Sequence, residues 1–196
     1  MDLYNYIKFP FNDREWFKKL GLGSIIFLAP VINILALGYF VKCIKIGARG
    51  RRLLPFWDDW EELLRDGIIA VIIIIGYLII PFLLIPLFFS VPILGVFMQS
   101  TVFLVVGLMI PMAIANYTVT NEIRNAFKVD KILHQLSEVL NDYVLAYFLI
   151  VLITSISIAL IFAMPLLALF CAAINFYFGV IFANYIGQLY RDAGYK

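Results

Sequence analysis

The chain has 196 residues, of which 64% are hydrophobic and 14% are charged. Soluble domains are about half apolar and about a quarter charged, so this composition excludes a soluble enzyme or binding module and indicates an integral membrane protein. The formal net charge of +2 provides no concentrated basic face, so nucleic acid is not an expected partner.

The charged residues fall into four segments. Every Lys, Arg, Asp and Glu lies in residues 1–19, 42–66, 122–142 or 191–196. A charged side chain at mid-bilayer costs roughly 2.5–3.5 kcal/mol, so the intervening stretches are predicted to lie in the membrane. These charge-free stretches are residues 20–41, 67–121 and 143–190.

The first charge-free stretch has two interpretations. As a single crossing, residues 20–41 would place the basic N-terminal segment opposite the other basic segments, against the positive-inside rule. Alternatively, residues 30–33 form the tip of a short re-entrant hairpin, and all basic residues then share one side. Irregular backbone at that depth must be buried by protein or reached by water. We favour the hairpin, with the single crossing as the alternative.

The other two stretches are each long enough for two crossings, because one crossing needs about 20 apolar residues. In the second stretch, closely spaced prolines predict a turn in the region of Pro81, Pro86 and Pro92, since proline breaks helices. In the third stretch, the turn is predicted near Met164 and Pro165. Both hairpins return the chain to the side that it left.

The predicted fold is an all-α polytopic membrane protein. It has four full transmembrane helices in two hairpins, plus the N-terminal span or re-entrant hairpin. The three charged segments that follow the N-terminal one hold 11 of the 15 basic residues, so the positive-inside rule places most loops and the C-terminus in the cytoplasm.

Each charged segment that precedes an embedded stretch has the pattern of an interfacial amphipathic helix. These helices are predicted over residues 12–20, 56–67 and 126–142. Three tryptophans have the amphipathic character of interfacial anchors, namely Trp16, Trp57 and Trp60. Residues 1–196 are predicted to form one domain with a loose three-unit repeat, although shared membrane composition also explains the similarity. The units are residues 9–52, 53–125 and 126–196.

One segment carries a specific family resemblance. Residues 54–60 have the pattern Leu-Pro-x-x-Asp-Asp-Trp, with Asp66-Gly67 following. Together with Phe9-Pro10-Phe11 and Gly38-Tyr39, this pattern resembles an uncharacterised family of prokaryotic multi-pass membrane proteins, catalogued as domain of unknown function 4013. The resemblance implies several spans in the cell membrane of a bacterium or archaeon, and it implies no known activity.

Two sets of residues are candidates for functional contacts. The first is basic and could contact anionic headgroups, each charge being worth about 1 kcal/mol near such a leaflet, although the same charges also serve as a topology signal. It comprises Lys42, Lys45, Arg49, Arg51 and Arg52. The second is polar and lies in or near the spans, where it could form interhelical hydrogen bonds or line a permeation path. It comprises Asn33, Asn116, Asn175, Asn184 and Gln188.

The sequence contains no catalytic, nucleotide-binding or metal-binding motif, so we expect no enzymatic activity, no cofactor and no metal. Cys43 and Cys171 are expected to be free thiols. The favoured function is a self-associating membrane scaffold or membrane-shaping protein that binds lipids and forms a homo-oligomer. The alternatives are a small-solute transporter or channel, and an accessory subunit of another membrane protein.

Overall fold

The computed structural model describes residues 3–89 and 91–194. Within these ranges the chain is helical and contains no strands. This agrees with the prediction, because a helix pairs its backbone polar groups internally and so tolerates lipid. The helices are α1 (Leu3–Lys8), α2 (Trp16–Leu28), α3 (Asn33–Ala48), α4 (Trp60–Phe89), α5 (Pro92–Thr120), α6 (Val129–Glu138), α7 (Leu140–Ala163) and α8 (Ala168–Asp192).

The first charge-free stretch forms a helical hairpin. Helix α2 ends at Leu28, and α3 begins at Asn33 after a turn in which Val31 has a φ of 73°. A single helix over residues 20–41 is therefore not formed. With 13 and 16 residues, the two helices are about 20 and 24 Å long, which is less than the roughly 30 Å of a bilayer core.

The second hairpin pairs α4 with α5, and its turn lies at the C-terminal end of the predicted region, just before Pro92. Pro81 and Pro86 lie inside α4, so the expectation that they break the helix is wrong. Proline is tolerated within membrane helices because neighbouring groups satisfy the freed backbone. Gln99 of α5 also donates a hydrogen bond to the Pro81 carbonyl oxygen at 2.9 Å, which links the two helices near this proline. Pro92 is the first residue of α5, where its missing N–H is harmless.

The third hairpin pairs α7 with α8 and turns at Met164, followed by a 3₁₀ turn over Pro165–Leu167. This confirms the predicted position. Among the described residues, four helices are long and apolar enough to cross a membrane, namely α4, α5, α7 and α8. The predicted number of full transmembrane helices is thereby confirmed.

The predicted surface helices have different boundaries in the structure. Helix α2 starts at Trp16 and continues directly into the first hairpin, and α4 starts only at Trp60. The preceding segment is irregular, with Asp59 at a φ of 48°. Only the third predicted helix has a separate counterpart, α6, which is divided from α7 at Val139.

Helix α3 lies at the centre of the molecule and contacts α4 and α8 through their backbones. A β-carbon at Gly38 would overlap the carbonyl oxygen of Leu63, and one at Gly67 would overlap that of Ile34. Glycines also allow the crossing with α8, where Gly47 of α3 meets the backbone of α8. Small residues permit this close approach in membrane helices, so α3 can pack tightly against both neighbours.

Burial is concentrated where the three hairpins meet, beside the charged segments; we call this region the junction. Away from it, two parts of the long hairpins have very few buried side chains, and we call them the arms. In the first arm, residues 78–108, only Pro81 and Gly95 are buried among the described side chains. In the second arm, residues 144–170, only Ser157 is buried. The molecule is therefore packed at one end and open along its arms.

Candidate functional site at the junction

Asn116 ties three helices together at the junction. Its side chain is fully buried, and its Nδ2 donates to Gln135 Oε1 at 2.6 Å and to the Met112 carbonyl oxygen at 3.1 Å. Its Oδ1 accepts a hydrogen bond from the Tyr190 hydroxyl at 3.5 Å. Gln135 is positioned for this contact because Ile132 beside it is buried and seats α6 on the bundle. The network joins α5, α6 and α8.

Asn184 makes the equivalent connection between α8 and α3. It is fully buried, and its Nδ2 donates to the Arg51 carbonyl oxygen at 3.0 Å and to that of Cys43 at 3.5 Å. Its Oδ1 accepts a hydrogen bond from Gln188 Nε2 at 3.0 Å. Satisfied buried amides stabilise a single helix arrangement. Asn116 and Asn184 therefore hold helices together, and Gln188 supports Asn184 from within α8.

The two remaining predicted polar residues each have an unpaired hydrogen-bond acceptor. The Oδ1 atoms of Asn33 and Asn175 are buried and have no hydrogen-bond partner among the described residues. Asn33 directly follows the turn of the first hairpin. Asn175 and Thr154 line an otherwise mainly apolar cavity of 440 Å³ between α3, α5, α7 and α8. Of the five predicted intramembrane residues, only Asn175 lines this cavity.

The predicted basic set divides into two groups. Lys42 Nζ lies 3.2 Å from Asp58 Oδ1 and 3.4 Å from Glu62 Oε2, and its side chain is only 12% exposed. Lys45 Nζ lies 3.5 Å from Glu62 Oε1. These ion pairs fasten the end of α3 to the start of α4. Lys42 and Lys45 thus have carboxylate partners within the chain.

The arginines of that set are exposed. Arg49 lines a polar cavity of 210 Å³ together with Lys45 and Arg191, where the C-terminal ends of α3, α5 and α8 meet. Helix C-termini carry partial negative charge, which these cations offset. The guanidinium of Arg52 lies 4.1 Å from the ring centroid of Tyr6, and Arg51 is exposed nearby.

Helix α2 contains a buried lysine, Lys19, that the sequence did not single out. It contacts the irregular segment before α4. Lys19 is 4% exposed, and its Nζ lies 2.7 Å from Asp13 Oδ2 and 3.2 Å from the Leu54 carbonyl oxygen. The ammonium also lies 3.6 Å from the Phe56 ring centroid. Trp57 Nε1 donates to the Lys19 carbonyl oxygen at 2.9 Å. Most of these partners are distant from Lys19 in sequence, so no sequence pattern predicts the contacts.

This contact helps to lower the pKa of the Asp13 carboxyl group. Burial alone would raise the pKa of its carboxyl group, but hydrogen bonds from Lys19 and from the Glu15 backbone N–H outweigh burial. The net result is a pKa below the ordinary value of 3.8. Asp13 therefore carries its negative charge at neutral pH and pairs with a buried cation.

The predicted tryptophan anchors differ in their surroundings. Trp57 is half-buried and stacks on Tyr39 with ring centroids 4.3 Å apart. The Tyr39 hydroxyl donates to the Pro55 carbonyl oxygen at 3.0 Å, which holds the irregular segment against α3. Trp60 is 47% exposed, and Trp16 is half-buried. Trp57 is thus mainly a packing residue of the junction.

Asp66 and Gly67, which follow the Asp-Asp-Trp pattern, both contribute to the junction. Asp66 is buried at 6% exposure, and its Oδ1 accepts a hydrogen bond from the Tyr117 hydroxyl at 3.1 Å. Arg65 Nε lies 3.4 Å from the same oxygen. Gly67 admits the backbone of Ile34. The pair therefore links α4 to both α5 and α3.

The described part of the chain holds no group of three or more His, Cys, Asp or Glu residues that could bind a metal ion. Cys43 and Cys171 are buried and make no disulfide. What the junction offers chemically is hydrogen bonding and charge pairing between helices.

The fold and the junction define a helical membrane protein with several potential spans. A model of the family described as "Protein of unknown function (DUF4013)" matches residues 22–171, and the chain belongs to this family. The resemblance inferred from the sequence is thereby confirmed. No curated protein and no solved structure matches the chain.

Proposed function

We propose that this protein is a non-catalytic scaffold that self-associates in the cytoplasmic membrane and shapes it. The observation that carries the proposal is the contrast in burial between the junction and the arms. Among the described side chains of residues 78–108 and 144–170, only three are buried. Such arms have apolar surface for lipid and for other copies of the chain.

The first hairpin makes the molecule wider in one half of the membrane than in the other. Its helices are too short to cross, and its turn exposes the apolar side chains of Val31 (81%) and Ile32 (51%). An exposed apolar turn is stable in lipid rather than in water. The membrane half beside the charged segments then holds three hairpins, and the other half holds two. A protein that is wider in one leaflet favours curvature of the membrane.

The basic residues indicate which leaflet is the wider one. Arg49, Arg51 and Arg52 are exposed at the junction and are available for anionic headgroups. By the positive-inside rule this side is cytoplasmic. The scaffold would therefore expand the cytoplasmic leaflet.

The test is to measure mass and curvature on the same reconstituted protein. We expect a discrete homo-oligomer in lipid nanodiscs after subtraction of bound lipid, and smaller or tubular vesicles in electron micrographs of proteoliposomes. Val31→Asp places a charge on the apolar turn and should abolish the curvature, whereas Asn12→Asp adds the same charge at an exposed position outside the hairpin. A monomer that leaves vesicle diameter unchanged would overturn the proposal.

One observation favours the alternative of a small-solute transporter. The 440 Å³ cavity lies between potential spans and is lined by Asn175, whose buried Oδ1 has no hydrogen-bond partner among the described residues. Transport would require flux of ions or small solutes in liposomes, with a reduction in Asn175→Leu. Asn116→Leu would be a poor test, because Asn116 is engaged with Gln135 and its loss would disturb packing. Flux that depends on Asn175 would favour transport over the scaffold.

A further inference from the structure

An apolar groove of 330 Å³ runs between α7, α8 and α1. Of the basic residues that the sequence predicted to contact lipid, Arg52 lies beside it, against Tyr6. Its walls are hydrocarbon and aromatic side chains, and the polar residues that line it are Tyr6, Tyr185 and Asp142. The lining residues include Leu145, Ala146 and Leu149 of α7, Phe178 and Phe182 of α8, and Ile7 of α1.

The length of the groove matches one membrane leaflet. Along α7 it is lined from Asp142 to Ile153, which corresponds to about 16 Å at 1.5 Å per residue. A bilayer core is about 30 Å thick, so one leaflet contributes roughly half of that. Ile150 and Phe182 line both the groove and the 440 Å³ cavity, so the two spaces adjoin. Space of this size and character suits a single hydrocarbon chain.

The mouth of the groove holds an unused hydrogen-bond donor. Tyr6 is 4% exposed, and its buried hydroxyl has no acceptor among the described residues. Tyr6 packs edge-on against Tyr185 with centroids 5.0 Å apart, and the Tyr177 hydroxyl donates to the Ile7 carbonyl oxygen. Both contacts hold α1 beside the groove. Burial raises the pKa of Tyr6 to about 12, so the hydroxyl keeps its proton at neutral pH.

The mouth also carries one charge of each sign. Asp142 is exposed, and it is in no ion pair with the described residues. The Arg52 guanidinium lies 4.1 Å from the Tyr6 ring centroid. A cation and a hydroxyl donor complement a phosphate, and a carboxylate complements an ammonium. The two charges together match a zwitterionic headgroup.

We propose that this groove binds one acyl chain of a phospholipid with a primary-amine headgroup, of the phosphatidylethanolamine class. The lipid phosphate accepts a hydrogen bond from the Tyr6 hydroxyl and faces Arg52, and the ammonium pairs with Asp142. A choline headgroup cannot donate a hydrogen bond to Asp142, and a glycerol headgroup has no positive charge. This site does not require the protein to self-associate.

The test is competitive lipid retention by the full-length protein in mild detergent, read by native mass spectrometry. Phosphatidylethanolamine, phosphatidylcholine and phosphatidylglycerol with identical chains are supplied in equal amounts. We expect one retained lipid per chain, with the amine headgroup enriched roughly fivefold over choline. Ala146→Phe should fill the groove and abolish retention. Val151→Phe, which adds the same ring to α7 outside the groove, should retain the lipid as the wild type does.

Two further variants test the headgroup contacts without altering the groove. Asp142→Asn at an exposed position should keep the bound lipid but remove the preference for an amine over choline. Tyr6→Phe should weaken retention of all three phospholipids equally, because each has a phosphate. Equal retention by the two phenylalanine variants, or a preference for phosphatidylglycerol in the wild type, would overturn the proposal.

Discussion

The junction and the arms are built from similar apolar residues but are stabilised differently. In the junction, backbones meet at glycines and polar groups such as Asn116 and Asn184 find partners inside the protein. In the arms, helices that are equally apolar bury only three of their described side chains. The comparison teaches that hydropathy places a helix in the membrane, while small and polar residues decide where helices associate.

The largest expected effect comes from closing a glycine contact at the junction. Gly38→Leu would drive a side chain into the Leu63 carbonyl oxygen and separate α3 from α4. We expect destabilisation above about 3 kcal/mol, beyond the ordinary range for overpacking. The matched control is Gly21→Leu in α2, where an added β-carbon meets nothing within 4 Å. Thermal unfolding in detergent should separate the two, and similar losses in both would contradict the backbone contact.

Removing the buried ammonium of Lys19 should have the next largest effect. Lys19→Met leaves the Asp13 carboxylate without its partner, and breaking a fully buried pair costs about 3–5 kcal/mol. Asp13 is 18% exposed, so we expect the lower part of that range. Lys18→Met is the control, since the Lys18 side chain is 82% exposed. Equal melting temperatures for the two variants would show that the Lys19–Asp13 ion pair contributes nothing to stability.

One helix permits a direct comparison of junction and arm. Met112 and Phe97 both lie on α5, with exposures of 0% and 69%. Met112→Ala should cost about 2 kcal/mol through the cavity that it leaves. Phe97→Ala should change stability by less than about 0.5 kcal/mol, because its ring has few protein contacts to lose. Denaturant titration of the monodisperse protein measures both, and a large loss from Phe97→Ala would mean that the arm is packed.

The smallest expected effect is a pH dependence at Asp13. Its pKa is lower in the folded protein than its ordinary value, so the carboxylate stabilises the fold above pH 3.8. This contribution is lost as pH falls through the folded pKa. The difference in melting temperature between wild type and Asp13→Asn should therefore be constant well above pH 3.8 and shrink as the pH falls below it. A constant difference would exclude linkage through this group.

The spacing of charges predicted the hairpins because the free-energy cost of a charged side chain in lipid does not depend on how the helices pack. It also located the turn at Met164 and Pro165. Pro81 and Pro86 lie inside α4 and do not break it, because the cost of a proline in a membrane helix depends on what surrounds the freed backbone groups. A rule about local sequence contains no such information.

The junction was harder to predict for a related reason. Asn116 and Asn175 have similar apolar neighbours in sequence, yet one is saturated with hydrogen bonds and the other has an unpaired oxygen beside a cavity. Lys19 lies next to Lys18 and has the opposite burial. Only tertiary contacts distinguish the members of each pair.

The lengths of the two long hairpins have a consequence for the membrane itself. Helices α4 and α5 have 30 and 29 residues, about 45 and 44 Å, whereas α7 and α8 have 24 and 25, about 36 and 38 Å. The charged residues of α4 end at Asp66, whereas α5 has no charged residue along its 29 residues. Within one bilayer, α5 must therefore tilt more than α7 or α8 to hide its apolar length. Hydrophobic mismatch thus couples bilayer thickness to the angle between the hairpins. A thinner membrane would tilt the α4–α5 hairpin further and change the protein's outline in the plane of the bilayer.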